Sequence, residues 1–295
     1  MSAALHGDAQ GIRLLLDAGA DPNHRNEAGG MALIYGAAEP EKVRMLLDAG
    51  SGIDAVTKQG VSALRVAAAN TEGDESVKLL LAAGANGGVK SNEPYGAALS
   101  SAAKYGNLET VKALIEHQVA SGIEVQNMGG FSGALFMAAK EGRVEVAKYL
   151  TQWNGPGHVP DDQKSLPLWA SLASGEPSIT RSILDSGASI DPFPFPGFQP
   201  GFFAGYSEVD DPSIVQMLLD EGLDVKDNPS GALGLWVAER AGNTRMAAAL
   251  REAGASLSAM PSSPKNKKLP DNGIPLSDVA NPERLRGLIK KSVGL

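Results

Sequence analysis

A phrase built as two or three apolar residues, an acid or alanine, and a glycine returns along the chain at near-constant intervals. No other feature constrains the fold as tightly. It reads LLLDAGADPN at 14–23, LLDAGSGID at 46–54, LLLAAGANG at 79–87, ILDSGASID at 183–191, LLDEGLDV at 218–225 and LREAGASL at 250–257. Two degenerate copies, LIEHQVA at 114–120 and YLTQWNG at 149–155, fill the gap between the third and the fourth. The glycines or their stand-ins fall at Gly19, Gly50, Gly84, Gln118, Trp153, Gly187, Gly222 and Gly254, so successive copies lie 31 to 35 residues apart. A repeat of that length is one supersecondary unit that buries its apolar face only by stacking on its neighbours.

A second phrase precedes the first within each period: ALIYGAA (32–38), ALRVAAA (63–69), ALSSAAKYGN (98–107), ALFMAAKEGR (134–143), PLWASLASGE (167–176) and GLWVAERAGN (234–243). Alanine favours helix and allows close helix approach, and Gly106, Gly142, Gly175 and Gly242 suit the left-handed position after a helix. A second helix is expected to follow, with apolar residues at i, i+3 and i+4: Val43/Leu46/Leu47, Val77/Leu80/Leu81, Val111/Leu114/Ile115 and Val215/Leu218/Leu219. Two helices and a turn in every period, with G-A-D-x-N cleanest at Gly19-Ala20-Asp21-Pro22-Asn23, resemble the ankyrin-repeat family from residue 1 to about 257. The family's T-P-L-H phrase survives mainly as its leucine, at Leu33, Leu64, Leu99, Leu135, Leu168 and Leu235. The resemblance implies an all-α solenoid of about eight repeats with short finger turns.

The first repeat enters directly at Ala3-Ala4, which reads as a minimal cap or as an excision from a longer chain. The loop NGPGHVPDDQ (154–163) replaces the ordinary turn after repeat five. The stretch PFPFPGFQPGFF (192–203) holds five of the seven phenylalanines, yet it leaves the period unchanged when Phe202 takes the core leucine position of repeat seven. Residues 192–199 then form a finger. Its prolines favour extended backbone. Residues 258–281 read as a flexible linker, and 282–295 as a terminal amphipathic helix that caps the array or begins a further domain.

Composition removes several chemistries. The chain has no cysteine, and therefore no disulfide, thiolate metal site or c-type haem attachment of its own. Net charge is −8, which disfavours nucleic acid and anionic membrane as general partners. No apolar run approaches a membrane span, and Asp8 interrupts the N-terminal apolar stretch, which lacks a basic leader. The histidines His6, His24, His117 and His158 lack metal-ligand spacing, and no nucleophile-elbow, dinucleotide or phosphate-loop motif exists. No cofactor or metal and no catalytic residue is expected. The compartment stays open, with the cytoplasm as default and the periplasm compatible.

What remains is binding. The ankyrin resemblance implies that the two residues after each double alanine face a concave groove, here including Lys104/Tyr105, Lys140/Glu141, Ala173/Ser174, Ser207/Glu208 and Arg240/Ala241. It further implies finger contacts at Lys58/Gln59, Glu93/Tyr95 and Ser230. The residue after the repeat leucine is Ile34, Arg65, Ser100, Phe136, Trp169, Phe203 and Trp236, so it turns aromatic toward the C-terminus. These aromatics either fill space between first helices or line the base of an apolar groove. Phe193, Phe195 and Phe198 either meet a partner or fold against neighbouring fingers. The expected function is a non-enzymatic scaffold that binds another protein as a monomer. Two further readings stay open. One is an accessory domain packing on a covalent neighbour, as in bacterial relatives that lead into a c-type haem domain. The other is an enzyme or small-ligand binder built on the aromatic half.

Overall fold

The computed structural model describes residues 1–85, 98–121, 130–190, 205, 207 and 209–260. Among these the regular structure is helical, and the one extended pairing is an isolated antiparallel bridge between Val56 and Ser62 in a finger. The helices come in pairs, one pair to a period. They are α1 (Ser2–His6) with α2 (Ala9–Asp17), α3 (Ala32–Tyr35) with α4 (Pro40–Asp48), and α5 (Ala63–Ala68) with α6 (Asp74–Ala82). Next come α7 (Ala98–Tyr105) with α8 (Leu108–Ala120), and α9 (Phe131–Lys140) with α10 (Val144–Gln152). The later pairs are α11 (Ser165–Ser174) with α12 (Pro177–Asp185), and α14 (Pro229–Ala241) with α15 (Thr244–Glu252). Between those two pairs lies α13 (Pro212–Asp220), the second helix of repeat seven. Among the described residues the architecture is all-α, a succession of helix pairs.

Local chemistry explains where these helices start. Ser62, Asn107, Asp211 and Asn228 accept hydrogen bonds from backbone N–H groups in the first turns of α5, α8, α13 and α14. Pro40, Pro177, Pro212 and Pro229 stand in the first turn, where no intrahelical N–H is lost. The ends follow from glycine. Gly50 sits at φ +83 after α4, a conformation that lacks the usual Cβ penalty only for glycine. Where Gln118 replaces that glycine, nothing stops the helix, and α8 continues to Ala120. In repeat two the first helix is cut to one turn, because Pro40 must start α4 only two residues after Ala37-Ala38.

The chain forms two compact units, Met1–Val159 and Pro160 onward. The division falls inside the loop 154–163. In the first unit each first helix packs on the next (α1 on α3, α3 on α5, α5 on α7, α7 on α9), and the second helices form a parallel row from α2 through α10. Val43, Val77 and Val111 are fully enclosed between those rows, as are Leu46, Leu80 and Leu114. Each such leucine contributes roughly 1.5–3 kcal/mol relative to exposure. In the second unit α11 packs on α12, α12 on α13, and α15 on both α13 and α14. The short turn 257–259 closes over α14. The linker and terminal helix expected beyond residue 260 lie outside the described residues.

Candidate binding surface

Side chains at the ends of the first helices hold consecutive repeats together, and they also form the exposed surface there. The residue that follows the helix-ending glycine does the first job. Asn107 caps α8 by accepting from the N–H of Thr110, and its amide donates to the carbonyls of Asn70 and Thr71 one repeat earlier. Asn243 makes the same tie, without the side-chain cap, in the second unit, donating to the carbonyls of Gly205 (3.4 Å) and Ser207 (3.0 Å). Repeat five carries Arg143 at the same position. Its Nε donates to the Lys104 carbonyl at 2.9 Å, and its side chain lies over Gly106, where a Cβ would meet Arg143 Cδ at 3.0 Å. Glycine at 106 suits its φ of +81 and leaves room for the Arg143 side chain.

Around this bond stand several sequence-predicted contact residues. Tyr105 ends α7 with 43% of its surface exposed, and the Lys104 ammonium lies 5.5 Å from its ring centroid. Lys140 and Glu141 end α9, half-buried and 3.8 Å apart. The structure thus brings Lys104, Tyr105, Lys140 and Glu141 to the packed ends of α7 and α9, with Arg143 between the two repeats. Sequence reading missed Arg143. The available signal was a basic residue in a slot that holds asparagine in GN at 106–107 and 242–243.

Other candidates change role. Phe136 and Trp169 are 2% and 1% exposed, so they belong to the core and do not line a groove. The position after the repeat leucine turns inward between first helices, which also buries Ile34 and Ser100. Trp236 differs: it is half-buried, and the Arg240 guanidinium covers its ring at 4.6 Å from the centroid. Ser207 and Ser230 are buried, the latter because α14 begins before it and takes it out of the finger. Lys58 and Gln59 are exposed at a finger tip, where the Lys58 N–H donates to the Ala28 carbonyl of the preceding finger. Phe193, Phe195, Phe198, Tyr95 and Phe203 lie outside the described residues.

Each unit also holds a cluster that the repeat pattern did not flag. On the second-helix side of the first unit, Lys112 lies 6.0 Å from the Tyr149 ring centroid, and Tyr149 lies 6.1 Å from Trp153. The Glu109 carboxylate, 2.8 Å from Lys112, raises that ammonium's pKa, while burial and then the charge of Glu116 raise the Tyr149 phenol. In the second unit Asp210 caps α15 from the preceding repeat, accepting from the N–H groups of Arg245 and Met246 at 2.9 Å and from the Thr244 hydroxyl. Partial burial pushes its carboxyl up, but these hydrogen bonds outweigh it and hold the pKa below the usual value.

Among the described residues no group of three or more metal-ligating side chains comes together, and no helix is long and apolar enough to cross a membrane. A family model of ankyrin repeats, three copies long, matches residues 1–91 and 99–193. The chain belongs to the ankyrin-repeat family, whose domains are generally protein-interaction modules. The crystal structure of the human ASB11 ankyrin repeat domain is similar, with a TM-score of 0.54 and 21% identity over 64% of this chain and 84% of that one. That likeness concerns the fold alone. No curated protein matches the sequence.

Proposed function

We propose that this chain is a non-enzymatic module that recognises a protein partner through the exposed ends of its first helices and through its fingers. The observation that carries the reading is the end of α7. There a large amphipathic side chain, Tyr105, stands 43% exposed on a rigid helix beside cationic groups. An aromatic held on packed helices contributes contact area at little conformational cost, as binding hot spots do. Lys140 and Glu141 supply the polar rim. Phe193, Phe195 and Phe198 are further candidate contacts on sequence grounds, since 192–199 keeps the length of an ordinary finger, and Tyr95 and Phe203 are candidates from their place in the repeat.

The test is affinity capture with the full chain, followed by identification of the retained protein and measurement of its affinity in purified form. Wild type is compared with the Lys104→Ala/Tyr105→Ala variant and with a triple serine variant at Phe193, Phe195 and Phe198. The expected result is one partner whose binding falls at least tenfold in each variant while thermal melting is unchanged. Equal binding by all three proteins overturns the reading.

A further inference from the structure

We infer that the Lys104–Arg143 face of the first unit reads an acidic segment of its partner, with Arg143 as the fork that grips a carboxylate. This rests on the protein-binding reading above and names the chemistry of the ligand.

The argument starts from three residues in one structural slot. In repeats four and eight the slot holds Asn107 and Asn243, whose side-chain amides are used up in tying a helix to the carbonyls of the preceding repeat. In repeat five Arg143 makes the corresponding tie with Nε alone. Its two terminal nitrogens have no partner among the described residues. A guanidinium anchored through Nε and pressed along Gly106 has already lost most of its rotamer freedom, so its outer edge is preset for a two-point bond to a planar anion. Asparagine performs the structural task, so stacking alone does not call for arginine here.

Charge points the same way. The chain carries eight more acids than bases, and several of its cations face carboxylates: Arg44 with Glu75, Lys78 with Asp74, Lys112 with Glu109, Lys148 with Glu145, and Arg251 with Glu239. Lys104 and Arg143 have no carboxylate partner among the described residues, and Lys104 rests on the Tyr105 ring. Glu141, the acid beside them, lies 3.8 Å from Lys140. Two cations without a carboxylate partner among the described residues thus stand at the end of this helix, one of them over the exposed Tyr105 ring and the other bonded to the Lys104 carbonyl. The occupant that satisfies both is a peptide segment whose carboxylates surround an apolar residue, the latter covering Tyr105.

The experiment is an amide-resolved NMR titration of the full chain with the blocked pentapeptide Glu-Glu-Leu-Glu-Glu, and with Gln-Gln-Leu-Gln-Gln as control. The expected result is that the acidic peptide shifts Lys104, Tyr105, Gly106 and Arg143, while the glutamine peptide binds about tenfold more weakly, as the loss of a charge-assisted bond implies. R143N keeps the stacking bond in the form repeats four and eight use. It should melt as wild type does while losing the same factor of about ten. If R143N folds poorly, K104Q, at an exposed helix end, takes its place with the same expectation. Equal affinity for the two peptides overturns the inference. So do unchanged affinity in the variant, shifts confined to other residues, and absence of binding. Should capture still return a partner that depends on Tyr105, the protein-binding reading stands and only its acidic chemistry falls.

Discussion

The first repeat and the interior repeats carry the same leucine at the same place in the period, with opposite fates. Leu46, Leu80 and Leu114 are 0–1% exposed, whereas Leu15, their counterpart in α2, is 49% exposed, and Leu5 and Leu14 beside it are open as well. The residue type is identical, so the difference comes from the neighbour. An interior leucine is enclosed by its own repeat and by the one before it, an enclosure that Leu15 lacks here. Stability in such a molecule is a sum of intrinsic repeat terms and nearest-neighbour interfaces.

The comparison can be broken by substitution. Leu80→Ala should cost about 2–5 kcal/mol in urea unfolding, because it opens a cavity between two repeats that cannot close over it. Next comes Asn243→Ala, about 2 kcal/mol, since it leaves the Gly205 and Ser207 carbonyls without their buried donor. A smaller effect, about 1 kcal/mol, is expected for Asp210→Ala, the cap that α15 receives from the repeat before it. This contribution has a definite pH sign. The folded pKa lies below the unfolded value of about 3.9, so the stabilisation is complete above that value and is lost as pH falls through the folded one. In acid titrations of stability Asp210→Asn should flatten that part of the slope, and an unchanged slope would show that the cap does not form. Smallest of all, Leu15→Ala should change stability by no more than about 0.5 kcal/mol, as exposed sites do. A cost equal to that of Leu80→Ala would end the distinction between first and interior repeats. Hydrogen exchange sharpens it further: amides of α2 should exchange faster than those of α6.

Much of the fold is legible in the residues. The 31-to-35-residue period, the double alanines and the i, i+3, i+4 stripes place the helix pairs, and the glycine positions mark most of their ends. These are short-range signals, fixed by backbone propensity and side-chain periodicity. Exceptions are equally local once seen: α8 overruns at Gln118, and α3 stops early for Pro40. The candidate surface was legible only in part. Lys104, Tyr105, Lys140 and Glu141 follow from counting two residues past each double alanine. Phe136 and Trp169 show the limit of such counting, because whether the position after the repeat leucine faces a groove or a neighbour depends on how closely adjacent first helices approach.

The sequence by itself determined that this protein is an array of helix pairs, because each repeat encodes its own helices, caps and apolar stripe. It also determined that the chain lacks thiol chemistry, because it has no cysteine. Only the tertiary structure decided which of the aromatics are core, and that Arg143 does in repeat five what asparagine does in repeats four and eight. The latter depends on contacts between residues some 36 to 39 positions apart, where the atoms of one repeat meet the carbonyls of the one before it. A repeat pattern specifies that such neighbours exist. The distance and direction of each side chain toward them are set by packing.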